Sequence, residues 1–235
     1  DNHPDKFRLI RSQSDLQAVL ERWEANPRPF ARLPEEVEAE QEEQARFLSR
    51  VDGRPREEIE AEQPQGNPVG LVILMEGAEG VRAPAELEEW YGMGVRIVGP
   101  AWRGNRFTGG TREPGPLTRE GFALQTMASL GMVLDLSHMD EIAVLQALDR
   151  FEGDLIASHA NALHLLHGVE SNRHLSDRVI AGIVERGGII GAVPYNNFLK
   201  AGWKIGSRRQ EVTLQHLAAQ IDHVCQIAGD ARHAG

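Results

Sequence analysis

The sequence predicts an α/β fold built on a parallel sheet, and three observations carry that prediction. Short apolar runs recur along the chain at Val69–Met75, Val95–Val98, Met132–Leu136, Leu155–Ala157 and Gly188–Pro194. Amphipathic stretches of helical period separate most of these runs. Strands that read as continuously apolar, rather than alternating, are those covered on both faces, as parallel sheets require. The right-handed crossover rule then leaves a (β/α) barrel or a doubly wound sheet as the two candidate architectures. The third observation is polar. Glu76 directly follows the first run, and Ser137-His138 and Ser158-His159 follow the third and fourth.

Taken in order, the chain begins with a polar, helical part over residues 1–68. Ser14 with Gln17 reads as a capping box, followed by Leu16, Val19, Leu20 and Trp23 at helical spacing. Between Glu35 and Glu62 stand eleven acidic and four basic residues, so this stretch holds −7 of a net charge of −10. It reads as one or two solvated surface helices over Pro34–Glu62, interrupted at Gly53 and Pro55. Gln63 to Pro68 is a loop. Residues 69–235 form the sheet and its helices. Phe122, Met127 and Leu130 mark one helix, stopped by Gly131; Ile142, Leu145 and Leu148 mark the next. Ser176 caps a helix carrying Val179, Ile180 and Ile183, closed by Gly187. A last helix carries Leu214, Leu217, Ile221 and Val224, and ends at Gly229.

Composition narrows the function classes. The chain has 235 residues, 41% of them apolar, which suits a soluble protein with a sizeable core. A single cysteine, Cys225, excludes an internal disulfide framework and a Cys-rich zinc module. The net charge of −10 argues against nucleic acid as a partner. No run reaches the roughly 18 apolar residues that span a bilayer. The opening residues DNHPDKFRLI lack the layout of a secretory signal, so a soluble, cytoplasmic protein is the expectation.

In a parallel barrel, residues just beyond strand ends lie at the carboxyl-terminal face, where such enzymes build their sites. Glu76, His138 and His159 would meet there. One carboxylate and two imidazoles suit zinc, which takes nitrogen and oxygen ligands and keeps a position open for water in catalytic sites. Any one of these histidines alone reads as a hydrogen-bonding residue at a loop start; three ligand-type residues at three strand ends weigh against that. Ser137 and Ser158 read as structural, since neither sits in a G-x-S-x-G elbow.

The blocks ILMEGA, GVRIVGPAW, GMVLDLSHMDE, LIASHAN, NRHLSD and ERGGIIGAVPYNNF occur in this order. Together they resemble successive blocks of the membrane (renal) dipeptidase family, zinc-dependent peptidases of the metallo-dependent hydrolases, over about Val69 to Gly235. The resemblance implies a (β/α)8 TIM-type barrel and two zinc ions bridged by Glu76, the catalytic carboxylate. It implies that His138 and His159 bind one of these ions. Arg173 would hold the free carboxylate of a dipeptide, and Tyr195 with Asn196 match a block near the substrate. The implied reaction is hydrolysis of the peptide bond by a metal-activated bridging water. A homodimer is a form the resemblance allows, and no membrane anchor is visible in the sequence. Arg173 has a plainer reading as a surface ion pair with Asp177, one helical turn on.

The chain departs from the family pattern in three places. The family's first strand carries H-x-D, whose side chains bind the other zinc; here only His3-Pro4-Asp5 has that spacing, without a preceding apolar strand. KFRLIRSQSDLQAVLERW reads instead like a later strand and helix. The family's last strand, carrying an aspartate that moves protons, has no counterpart, so about five of the eight barrel strands are expected. A partial copy of a longer chain is the simplest account. Thirdly, Trp102 stands where some relatives place a histidine. His164, His167 and His174 read as surface or capping residues, and His216 and His223 share no metal face along their helix. Two other readings stand beside the dipeptidase. One is another amidohydrolase-like metal hydrolase; the other is a truncated, non-catalytic relative acting as a binding domain.

Overall fold

The computed structural model describes residues 6–25, 67–124 and 126–235. His3, Asp5 and the acidic stretch between Glu35 and Glu62 lie outside the described residues. The chain divides into two compact units, Asp1–Leu71 and Val72–Gly235.

In the first unit, β1 (Phe7–Leu9) runs parallel to β2 (Val69–Leu71), with Phe7 opposite Val69 and Leu9 opposite Leu71. Helix α1 (Gln13–Ala25) follows β1 and buries Val19; Ile10 is buried beside it. The expected cap at Ser14 and Gln17 lies two residues earlier. Ser12 Oγ accepts from the Asp15 amide at 3.2 Å, and Asp15 Oδ2 accepts from the Arg11 amide at 3.0 Å. Asp15 thus reaches back to the amide one residue before Ser12, a looser version of the box, and Ser14 falls inside the helix. Trp23 Nε1 donates to the Pro68 carbonyl at 2.9 Å, tying α1 to the approach to β2.

The second unit holds a five-stranded parallel sheet. Its strands are β3 (Ile73–Glu76), β4 (Val95–Gly99), β7 (Val133–Asp135), β8 (Leu155–Ala157) and β9 (Ile189–Ile190), side by side in chain order. The order never reverses among the described residues, so the switch point that defines a doubly wound sheet is absent from them. The expected single strand Val69–Met75 is two strands in two sheets, parted at Val72. His233 to Gly235 lie along β9: the Ile190 amide donates to the His233 carbonyl at 2.9 Å, and the Gly235 amide donates to the Ile190 carbonyl at 3.0 Å.

Helices α2 (Leu87–Gly92), α3 (Arg119–Ala123), α4 (Thr126–Ser129), α5 (Glu141–Arg150) and α6 (Asp177–Glu185) lie between the strands. After β9 come α7 (Asn196–Leu199) and α8 (Leu214–Ala228). The helix expected through Phe122, Met127 and Leu130 is two short ones, α3 and α4. Helix α6 fits its reading closely. Ser176 Oγ accepts from the Val179 amide at 3.3 Å, Val179, Ile180 and Ile183 are buried, and Gly187 takes φ +71° after the last turn. Burying each of these side chains contributes about 1.5–3 kcal/mol. Helix α5 packs Leu145 and Leu148 against the core as read, but not Ile142. Ala143, Val144 and Ala147 are buried, while Ile142 is 56% exposed. The α5 end is capped from elsewhere: Arg186 donates to the carbonyls of Leu148, Phe151 and Gly153 at 2.6, 2.6 and 3.0 Å.

One element had no sequence signal. An antiparallel hairpin, β5 (Thr108–Gly110) and β6 (Glu113–Leu117), leaves the sheet between β4 and α3. Pro114 and Pro116 lie within β6, which is tolerable only where a strand has a free edge. Gly109 faces Gly115 so closely that a Cβ there would sit 2.2 Å from the Gly115 carbonyl oxygen. Among the described residues no helix is long and apolar enough to cross a membrane.

Candidate metal centre

Glu76 ends β3, and Gly77 beyond it adopts φ +83°, a turn that glycine makes without steric cost. His138 and His159 each stand a few residues beyond β7 and β8. The three therefore converge at the carboxyl end of the parallel sheet. Glu76 Oε1 lies 3.0 Å from His138 Nε2 and 2.9 Å from His159 Nε2, and the two Nε2 atoms are 3.0 Å apart. His138 reaches this position from a backbone φ of +68°, a conformation that costs a non-glycine residue about 1–3 kcal/mol.

The protons on these rings follow from their outer partners. Asp135 is buried at the end of β7, and its Oδ1 accepts from the amides of Ser137 and Ser158 at 3.0 and 2.9 Å. Its Oδ2 takes the one proton of the Ser158 hydroxyl at 2.5 Å. Ser158 Oγ must then accept from His159 Nδ1, 2.7 Å away, so the neutral tautomer this favours carries its lone pair on Nε2. Ser137 Oγ accepts from the His159 amide at 3.1 Å and fixes the backbone behind the ring. On the other side Thr111, from the turn of the hairpin, places Oγ1 3.0 Å from His138 Nδ1. Burial, then the charge of Arg173 and the neighbouring His159, push the His138 pKa down to about 4 against the pull of Asp135, so the ring is neutral at pH 7.

A carboxylate oxygen and an unprotonated imidazole nitrogen facing each other at 2.9 Å repel unless a proton or a metal ion lies between them. The donor set is therefore tested by its own chemistry, and it fits a borderline divalent ion such as zinc. Ligands at zinc bond lengths stand about 3.3 Å apart in a tetrahedron. The triad would need to open by a few tenths of an ångström.

Arg173 is 4% exposed. Its Nη2 donates to the His159 carbonyl at 2.5 Å, while Nε and Nη1 are buried with no partner among the described residues. The Phe198 ring lies 5.2 Å from the guanidinium carbon. Burial lowers the Arg173 pKa to about 10, opposed by Asp135 and Glu76, so the side chain keeps its charge at pH 7. The alternative ion pair with Asp177 is not made; Asp177 pairs with His223 and His164 instead. Tyr195 is 49% exposed and meets Phe198 edge-on at 5.0 Å, so it is linked to Arg173 through that ring. Trp102 stands 6.0 Å from the His138 ring.

Asp135, Thr111 and the relay role of Ser158 escaped the sequence reading. A carboxylate inside the apolar run Met132–Leu136 was the one available signal. Asp135→Asn is expected to weaken metal binding by about 10–100-fold, because an amide can donate to Ser158 Oγ and free the serine proton for His159 Nδ1. Competition with a chromophoric chelator measures this, and unchanged affinity would rule out the relay.

Residues 35–235 match the model of the membrane dipeptidase family, peptidase family M19. A protein of Klebsiella pneumoniae, known by its position in the pqqA 5′ region, is 32% identical over 173 residues, covering 69% of this chain and 62% of its own. An uncharacterised dipeptidase of Schizosaccharomyces pombe is 30% identical over 173 residues, 68% of this chain and 39% of its own. Among solved structures, a metallopeptidase of Rhodobacter sphaeroides bound to a phosphinate mimic of the dipeptide L-Ala-D-Ala superposes with a TM-score of 0.62 at 30% identity. That match covers 76% of this chain and 52% of the other. The probable dipeptidase PvdM of Pseudomonas aeruginosa shares the fold, with a TM-score of 0.70 at 16% identity over 100% of this chain and 62% of its own. The chain thus spans less than two thirds of the length of each of these relatives. The match over residues 35–235 makes the chain a member of the membrane dipeptidase family.

Proposed function

We propose that this chain carries the zinc and carboxylate-binding part of a dipeptidase site, on one side of a (β/α)8 barrel. One observation supports the reading most directly: the guanidinium of Arg173 donates to the carbonyl of His159, so an unpaired buried cation and a metal ligand share one short connection. Two N–H groups left unmade inside a protein cost about 1–3 kcal/mol each, and sites tolerate that where a ligand completes them. A planar guanidinium fork suits a planar carboxylate, such as the free C-terminus of a dipeptide.

In this reading Glu76, His138 and His159 would hold zinc. When bound, zinc supplies Lewis acidity, polarising a carbonyl and lowering the pKa of water. The rest belongs to the chain. Asp135 and Ser158 keep the His159 proton on Nδ1, and Thr111 and Trp102 bound His138. Arg173 anchors the carboxylate above the Phe198 ring, and Tyr195 flanks it at the open side. Fixing one end of the substrate this way sets the distance to its peptide carbonyl, so short peptides are favoured.

The zinc-loaded chain is expected to hydrolyse a dipeptide such as L-Ala-D-Ala at least about 100-fold faster than its C-terminal amide, since the amide offers Arg173 no anion. Metal content by plasma mass spectrometry and product release by chromatography check this. Equal rates would remove the carboxylate clamp. A folded, metal-loaded chain that cleaves neither would leave a binding domain as the better reading.

A further inference from the structure

Beyond the Glu76 triad, three side chains from three other elements converge. His164 lies in the short 3-10 turn Leu163–Leu165, Asp177 is the first residue of α6, and His223 is on α8. His223 Nε2 is 2.8 Å from Asp177 Oδ1, and His164 Nδ1 is 3.5 Å from Asp177 Oδ2. The two imidazoles stack with centroids 4.8 Å apart and planes 18° apart. Their ligand atoms and a carboxylate oxygen of Asp177 all lie within 4.8 Å of one another. His167 adds a further imidazole, its ring 6.4 Å from that of His164.

An ion pair alone accounts for only part of this. One carboxylate balances one imidazolium, and a second imidazolium stacked on the first would be repelled. Neutral, the two rings each offer a ring nitrogen within 4.8 Å of the other and of an Asp177 oxygen. A divalent cation at that point is attracted by the carboxylate and by both nitrogens. The separations of 2.8 and 3.5 Å straddle the roughly 3.3 Å spacing of donors around tetrahedral zinc. Two imidazoles with one carboxylate select zinc, nickel or copper over calcium and magnesium, which prefer all-oxygen shells.

We infer that His164, Asp177 and His223 form a second binding site for a borderline divalent transition metal, independent of the Glu76 triad. The site lies at the surface, with His223 its most buried member, its side chain 17% exposed. An ion there joins α6 and α8 to the segment between Ala160 and Ser176. That segment starts directly after His159 and carries Arg173, so occupancy would stiffen the connection between metal ligand and carboxylate clamp.

The test is equilibrium dialysis of the full chain against zinc, with metal counted by plasma mass spectrometry. It is run on the wild type, on His164→Ala and His223→Gln, and on His138→Ala, which lacks a triad ligand. The wild type is expected to bind one zinc more than either surface variant, with affinity for that ion lowered at least about tenfold in each. The extra ion should persist in His138→Ala, which separates this site from the triad. Zinc should also raise the melting temperature of His138→Ala but not of a chain carrying both His138→Ala and His164→Ala. His164 is exposed, so its replacement leaves the fold intact even if His223→Gln does not. Equal zinc content in wild type and His164→Ala, or an equal thermal shift with and without His164, would overturn the site and leave an ordinary ion pair.

Discussion

Alanine in place of His138 is expected to empty the Glu76 triad of metal and to lower dipeptide hydrolysis by about three orders of magnitude or more. The reason lies in how few donors the triad has. Its three ligand atoms stand within 3.0 Å of one another, and each residue contributes one. Losing Nε2 of His138 leaves a carboxylate and one imidazole, a pair that water competes with readily. The same substitution probes stored strain. His138 has φ +68°, and an alanine there inherits the strain without the ligand. Glycine adopts this conformation at little cost, so His138→Gly should be more stable than His138→Ala by about 1 kcal/mol, against the usual order of the two residues. Thermal melting of the two variants and their metal content give independent readings. Zinc content in His138→Ala equal to that of the wild type would exclude His138 as a ligand, and a less stable glycine variant would exclude the strain.

Why the triad could be read from sequence, and its supports could not, follows from how each is encoded. Leu155–Ala157 forms β8 because a strand covered on both faces has no reason to alternate, and the sheet supplies that cover. A histidine two positions beyond such a run then stands out, and the topology does the rest by bringing the ends of β3, β7 and β8 to one side. Asp135 is different. It sits inside an apolar run, and only the amides of Ser137 and Ser158 with the Ser158 hydroxyl make its burial tolerable. Those partners come from two strands, so no local pattern announces them. Thr111 was hidden for another reason: the hairpin that carries it is rich in Gly and Pro and has no alternation to detect. The same limit applies to His164, Asp177 and His223. Spacing along α8 gives His223 no partner there, yet Asp177, 46 residues earlier, bonds to it. In α5 Leu145 and Leu148 pack against the core as read, but Ile142 is exposed, and the fully buried positions are Ala143, Val144 and Ala147. Apolar runs therefore located strands, strand ends and the triad beyond them, while the supports that join distant segments outside the strand ends needed the folded chain.

The Arg173→Met variant should separate function from stability, because the two effects have opposite signs. Arg173 is 4% exposed, with two nitrogens unpaired among the described residues and one bond to the His159 carbonyl. Methionine fills much of the same volume against Phe198, removes the buried charge and leaves no unmade donor. Stability is expected to stay level or rise by about 1–3 kcal/mol. In a unit of this size each kcal/mol shifts the melting temperature by about 2–4 °C. The kcat/KM for a dipeptide should fall by about 10²–10³-fold, since the substrate carboxylate loses its paired donors. The variant should also stop discriminating a dipeptide from its C-terminal amide. Arg173→Lys should recover little, because an ammonium supplies charge without the planar fork and must itself be desolvated. An Arg173 whose part is only to support the His159 loop predicts a different pair of results. Arg173→Met would then melt at a lower temperature, lose zinc along with activity, and keep whatever preference it has between acid and amide. A rise in melting temperature with a collapse in that preference is what a cation held ready for a carboxylate requires.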